Sequence, residues 1–444
     1  MAVAGVSMKH QHFLTVLTMW VPLVIGTAAH AGEEGAPPAY LVYDTGTLGG
    51  TFAFGSGVSD LGWVAGASTT GSGALHASLS IPGNVIDLGT LGGGNSAVEW
   101  PIKNNRGLVV GISETATADP LGESFSCAAF IATNGHTCLP FLWRNGALVA
   151  LPLLGGNNGF ATGVNNAGAA VGWAETARHD PSCVPPQQLQ FEAVEWVPPA
   201  SQPNILPPLA GDSTSAATAL NDSAEVVGIS GDCDVAVGAF SARHAVLWLN
   251  GRPTRLATLG GQGWNTPMAI SNDGIIVGFS DTAGDVVGGV LTPNFQAVLW
   301  TPQGIVNLHT LPGDQIAEAT GVNGFGRIVG TSFDANGNPR VFLWDEGRMY
   351  DLNALVQPDA PLYLLETGDI NDRGEITGLA CVRVGAVCGD EIHAFVAIVA
   401  PREVLAANER IPLAARPRLS AALRTRLEQH PLAGRGAAGI RAAH

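Results

Sequence analysis

The phrase Val164-Asn-Asn-Ala-Gly-Ala-Ala-Val-Gly172 recurs along the chain and constrains its fold more than any other feature. Its relatives end at Gly66, Gly111, Gly172, Gly228, Gly278, Gly330 and Gly378, at spacings of 45, 61, 56, 50, 52 and 48 residues. A short apolar segment follows, clearest in His244-Ala-Val-Leu-Trp248, Gln296-Ala-Val-Leu-Trp300 and Arg340-Val-Phe-Leu-Trp344. A glycine-rich phrase then closes the unit, as in Asp87-Leu-Gly-Thr-Leu-Gly-Gly93. Asn-x-x-Gly between apolar stretches supplies the positive backbone angles of a tight hairpin, and Trp-x-x-Gly supplies a second turn. Each unit therefore reads as four strands, the size of a propeller blade.

The ends of the array favour a closed structure over a β-solenoid, which is the alternative fold. The seventh unit stops after its third strand, His393-Ala-Phe-Val-Ala-Ile-Val399, whereas Tyr43-Asp44-Thr-Gly-Thr-Leu48 at the start matches a fourth strand. The expected fold is an all-β, seven-bladed β-propeller of four-stranded blades, in which the N-terminal strand completes the last blade. Closure of that kind removes exposed sheet edges.

The Asp-Leu-Gly-Thr-Leu-Gly-Gly, Val-Asn-x-x-Gly-x-x-Val-Gly and His-Ala-Phe phrases resemble the probable extracellular repeats of the HAF family, across roughly residues 40–399. The name-giving triplet is complete only at His393, Ala394 and Phe395. The resemblance implies export and repetition and carries no established activity.

The first residues read as an export signal. Lys9, His10 and His12 precede an apolar run from Phe13 to Gly26, and Ala29 and Ala31 supply the small residues of a cleavage site after Ala31. The expected organisation is a signal peptide over 1–31, the repeats over 32–399, an Arg-rich tail over 400–444, and no membrane-spanning segment after cleavage. The expected location is periplasmic or secreted. In an oxidising compartment the even set of cysteines suggests disulfides pairing Cys127 with Cys138, Cys183 with Cys233, and Cys381 with Cys388.

Composition removes several classes. Lys9 and Lys103 are the only lysines, too few for the surfaces of long helices, and 58 glycines and 28 prolines favour turns. The net charge of −16 argues against nucleic acid as a partner. No serine has glycine at both −2 and +2, so the nucleophile elbow is absent. Gly89–Gly94 lacks the helix a phosphate cradle needs, and Asp334–Pro339 departs from a calcium loop where proline replaces its glycine. His76, His244 and His393 share one repeat position and read as structural, each bonded to a neighbouring carbonyl. The tryptophans ending the third strands read as core between units.

Function is sought where units differ. Four positions before the end of the first strand, Glu99, Glu318 and Glu366 stand where other units carry Phe54, Phe160, Ala216 and Thr266. Three carboxylates in one register, with Asp369 nearby, form a candidate site for Ca²⁺ or another hard cation at one channel mouth. Insertions over 113–140, 174–192 and 230–243 bring long stapled loops to that same face. His136, His179, Asp180, Asp232 and Asp234 are the candidate contacts there.

Two functional expectations follow. One is a non-enzymatic interaction module that binds a protein or a polysaccharide of the cell envelope through the loop-rich face. The other is a metal-assisted hydrolase or lyase at the channel mouth, with the glutamates as ligands or general base. A third role rests on the tail, whose eight arginines and three glutamates oppose the 34 acidic and 12 basic residues of 32–399. It would dock on anionic polymers, and its loss would leave folding intact. Leu419, Ala422, Leu423 and Leu427 line one face of an expected short helix beginning near Ser420.

Overall fold

A computed structural model describes residues 37–400 and 419–429, apart from short stretches at 124, 132–134, 199–201, 235–237, 288–289, 293 and 386. The expected signal peptide and most of the tail lie outside these residues.

Each repeat forms an antiparallel meander. In repeat 3 the strands Gly155–Val164, Ala170–His179, Leu189–Trp196 and Asn204–Leu206 pair in chain order, and repeats 2, 4, 5 and 6 each build a four-stranded sheet the same way. The sheets of repeats 1 and 7 join through one parallel pairing, Phe52 with Ile392. The architecture is nearly all β and propeller-like.

The turns follow the local sequence. In repeat 3, Asn165 Oδ1 accepts from the Ala167 and Ala169 N–H groups, and Gly168 takes φ +86°. Ala224 occupies that left-handed position in repeat 4, at φ +57°. Asn145-Gly146 and Asn250-Gly251 have positive φ at both residues, the two-residue hairpin turn that suits twisted strands. The Asp-Leu-Gly-Thr-Leu phrase is only partly a strand. The fourth strand of repeat 1 is Asn84–Gly89, and Thr90 and Leu91 already cross to the next sheet, where the Leu91 N–H donates to Ser113 Oγ at 2.8 Å.

The recurrent histidines bond to carboxylates rather than to carbonyls. His76 Nδ1 lies 2.9 Å from Asp87, His244 Nδ1 2.8 Å from Asp212, and His393 Nδ1 2.6 Å from Asp44. The last pair spans the two ends of the array. Strand Tyr40–Asp44 pairs antiparallel with Phe395–Val399, the third strand of repeat 7.

Neighbouring sheets are joined at equivalent points. The indoles of Trp196, Trp248 and Trp300 donate to the carbonyls of Pro152, Pro207 and Ala257 in the preceding repeat. At the turns, backbone N–H groups of Asp60, Asn105, Asn166 and Asp222 donate to the side chains of Asn105, Asn166, Asp222 and Asn272 respectively. Gly324 donates to Asp372, and Asp372 donates to Asp60, returning from repeat 7 to repeat 1. Gly368 approaches repeat 1 so closely that a Cβ on it would stand 2.2 Å from the Gly55 carbonyl oxygen.

All three expected disulfides form. Among the described residues no helix is long and apolar enough to cross a membrane.

Candidate functional site

Residues at or just beyond the first strands of repeats 1, 2, 5, 6 and 7 line one internal cavity. Phe54, Glu99, Met268, Thr320 and Glu366 face it. The cavity measures about 10 Å³, about the room one water needs and far less than a small-molecule substrate occupies. Glu99 is 9% exposed and Glu366 1%. Two of the three expected glutamates therefore meet, although repeats 2 and 7 lie far apart in the chain. Glu318 holds the register of Glu366 on strand Ile316–Val322, paired with Thr331 as Glu366 is with Leu379, and is buried, while its neighbour Thr320 lines the cavity. The expected register of Glu99 is corrected: Ala97, paired with Ile112, takes that position in repeat 2, and Glu99 stands two residues further on, beyond the strand.

Asp369 does not join them. It is fully buried, and its Oδ1 lies 3.2 Å from Lys103 Nζ, which also donates to the Val322 and Ile370 carbonyls. Burial pushes the Asp369 carboxyl up to about 6, against the opposing pull of the Lys103 ammonium. The expected assignment of Asp369 to the metal set is corrected: a bulge between Thr367 and Asp369 separates it from Glu366, and a lysine already supplies its cation. This pair sits at the opposite end of the first strands. There a polar cavity of about 50 Å³ is bounded by Lys103, Asn104, Asn166, Asn272, Asn371 and Asp372.

Apolar side chains pack beside the glutamate end. Trp100, next to Glu99, packs edge-on against Phe130 and Phe160 at ring separations of 5.2 and 5.5 Å, and Phe160 lies 4.9 Å from Trp173. Phe130 ends the short helix Phe125–Phe130, which the insertion of repeat 2 drives into the core and the Cys127–Cys138 bridge pins. The C-terminal helix Ala421–Gln429 buries Leu423 and Leu427 in the same core cluster, with Leu419 packed against it and Ser420 Oγ donating to Asp390 at 2.6 Å.

The loop residues expected to make contacts mostly hold their own loops. His136 Nδ1 lies 3.2 Å from Glu114, a fully buried carboxylate. Asp180 accepts from the Ser182 N–H and hydroxyl; the desolvation of partial burial works against this, and its carboxyl still falls below the usual range. Asp232 pairs with Arg243 at 2.7 Å, and Asp234 accepts from the Phe240 N–H. His179 is exposed. Among the described residues, Asp180, Cys183 and Cys233 are the one group of three whose ligand atoms approach metal spacing, and its two sulfurs are bonded to each other.

Sequence reasoning missed a second acidic register. The residue three after each repeat's terminal glycine is Glu114, Glu175 or Asp281 in repeats 2, 3 and 5, all buried. The signal was available in the aligned repeats. Two of these side chains accept from backbone N–H groups in the preceding Gly-Gly segment: Glu114 from Gly94, and Glu175 from Asn157 and Asn158.

No protein-family model and no curated protein matches the chain. Among solved structures it is similar to the acylaminoacyl peptidase of Pyrococcus horikoshii, at 11% identity and TM-score 0.44, covering 82% of this chain and 55% of that one. A puromycin hydrolase follows at 14% identity and TM-score 0.40, with 72% and 48% covered. Dipeptidyl peptidase 4 of Porphyromonas gingivalis matches at 12% identity and TM-score 0.35, with 84% and 53% covered. The chain spans about half the length of these three proteins. The expectation of a non-enzymatic interaction module acting through the loop-rich face is withdrawn. Most of the expected contact residues are engaged in holding their loops.

Proposed function

We propose that the chain is an exported, seven-bladed β-propeller of the HAF repeat type, closed by its N-terminal strand, with metal-assisted hydrolase or lyase chemistry at the channel. Pairing of Tyr40–Asp44 with Phe395–Val399 and the turn-to-turn hydrogen bonds that return to Asp60 support closure. The three disulfides fit an oxidising compartment.

The observation that carries the chemistry is the meeting of Glu99 and Glu366 in the lining of one cavity, with Glu318 in the register of Glu366. Oxygen donors suit a hard cation such as Ca²⁺, and the space fits an ion or a water. A bound cation would supply Lewis acidity and lower the pKa of its water. In this reading Glu318, in the register of Glu366, serves as general base. The substrate, a protein or polysaccharide of the envelope, would meet this water at the mouth, since the interior has no room for it.

Thermal unfolding of the disulfide-intact protein with EDTA, Ca²⁺, Mg²⁺ and Zn²⁺ tests the site, together with hydrolysis of peptide, ester and glycan substrates. A cation-dependent activity that disappears in the Glu99→Gln, Glu318→Gln, Glu366→Gln variant supports the reading. Activity indifferent to EDTA and to that variant, or no turnover of any substrate, overturns it.

A further inference from the structure

The insertions of repeats 2 and 3 meet around three buried carboxylates. Asp119 and Glu123 come from the first, and Glu175 from the strand entering the second. Asp119 is 9% exposed, and Glu123 and Glu175 are each 1% exposed. Every hydrogen-bond partner they have here is a neutral amide. Asp119 Oδ1 accepts from the Leu121 N–H at 2.8 Å and the Glu123 N–H at 3.2 Å, and its Oδ2 accepts from Asn158 Nδ2 at 2.8 Å. Glu123 Oε1 accepts from the Gln188 and Leu189 N–H groups at 2.8 and 2.6 Å. Glu175 Oε2 accepts from the Asn157 and Asn158 N–H groups, and its Oε1 from Gln187 Nε2 at 3.0 Å.

Among the described residues no ion pair joins any of these carboxylates. Up to three negative charges therefore lie out of water, linked through shared Asn158 and Gln187 amides rather than all within metal spacing of one another, with only dipoles to stabilise them. Buried charge of that kind is neutralised by protons or by a cation.

Two oxygens single out a cation. Glu123 Oε2 and Gln187 Oε1 are buried and accept no hydrogen bond. Gln187 is 1% exposed, and its amide stands between the carboxylates, with Nε2 3.0 Å from Glu175 Oε1 and 3.5 Å from Glu123 Oε1. The amide cannot turn over to relieve its oxygen. Nε2 also donates to the Leu189 carbonyl at 2.7 Å, so the reversed group would set oxygen against a carbonyl and two carboxylates. A buried amide oxygen and a buried carboxylate oxygen, both without a donor beside an anionic cluster, are oxygens of the kind a hard cation takes.

We propose that a divalent cation of the Ca²⁺ class binds between these two insertions, on Glu123, Glu175 and the Gln187 amide oxygen, with Asp119 completing the charge. An all-oxygen donor set with a neutral amide suits Ca²⁺, whose coordination tolerates irregular geometry, better than Zn²⁺. The cation would tie the Cys127–Cys138 loop to the Cys183–Cys233 loop at a point no covalent bond reaches.

This site is separate from the channel glutamates, and variants distinguish the two. The experiment is a titration of the EDTA-stripped, disulfide-intact protein with Ca²⁺ at pH 7.5, followed by thermal unfolding. Tb³⁺ luminescence excited through tryptophan gives a second readout, Trp173 lying on the same strand as Glu175. Ca²⁺ should raise the midpoint by a few degrees, and Tb³⁺ should luminesce. Both responses should vanish in Glu123→Gln, Glu175→Gln and persist in the channel triple variant. Gln187→Leu keeps the volume and should weaken binding at least tenfold, while near-ultraviolet circular dichroism confirms its native packing. No response to Ca²⁺ in the wild type, or a response that survives the double variant, overturns the proposal.

Discussion

At the residue scale, the turns record how closely local chemistry matches backbone demand. Ala224 holds φ +57° where other repeats place glycine, and a left-handed alanine costs about 1–2 kcal/mol. Ala224→Gly should therefore stabilise the protein by about 1 kcal/mol, part of the relief being offset by a freer unfolded chain. Equilibrium urea unfolding checks this. Asp281 offers a test of opposite character. Burial first, and the hydrogen-bonded Asp285 carboxyl with it, push its pKa up to about 8 from an ordinary 3.8. The folded state then holds a proton that the unfolded chain releases, so stability is full below about pH 4 and falls as pH rises to about 8. Asp281→Asn should flatten most of that decline, measured by urea midpoints in EDTA between pH 5 and 8.5. The slope that remains up to pH 7 should be shared by Glu175, whose carboxyl is pushed up to about 7, by Asp369, pushed up to about 6, and by His393, whose pKa is also raised.

At the element scale, the insertions and the tail do different work from what their exposure in the sequence suggested. Ser113–Pro140 reads as a stapled recognition loop, yet its helix Phe125–Phe130 places Phe130 against Trp100 and Phe160. Phe130→Ala should cost about 3–5 kcal/mol, as for other buried aromatic side chains. The C-terminal helix was expected to be dispensable for folding. Leu423 is fully buried and Leu427 is 4% exposed, so removing residues 400–444 should lower the melting midpoint by several degrees. A tail that only docked on anionic polymers would leave the midpoint unchanged. The helix itself was legible from the spacing of Leu419, Leu423 and Leu427. Its apolar partner was not, because that partner is assembled from several repeats.

At the scale of the whole molecule, the join between repeats 1 and 7 brings the two ends of the array together. Strand Tyr40–Asp44 covers the edge of Phe395–Val399, and His393 with Asp44 adds a charge-assisted bond across it. That carboxylate raises the His393 pKa against the desolvation of partial burial. Deleting residues 37–48 should expose a sheet edge and leave a poorly folded, aggregation-prone chain. Size-exclusion chromatography and circular dichroism read the outcome. A monomeric product with native melting would show that the first strand contributes little to holding the molecule together.

The sequence by itself determined the repeating unit, its four strands, the turn positions and the pairing of the cysteines. All of these depend on short-range periodicity, on glycine and asparagine at fixed offsets, or on loops that a disulfide can close. The register shared by Glu318 and Glu366 was legible; Glu99 was aligned to it wrongly, because Ala97 pairs with Ile112 in repeat 2, and Glu99 reaches the same cavity from two residues further on. The departure of Asp369 to Lys103 was not legible, because a bulge and a cation from another repeat decide it. The buried acids Glu114, Glu175 and Asp281 were visible as letters at one repeat position. Only the tertiary structure decided which of them share a desolvated space with other carboxylates and which meet a histidine, because burial and charge are properties of neighbours brought together across repeats.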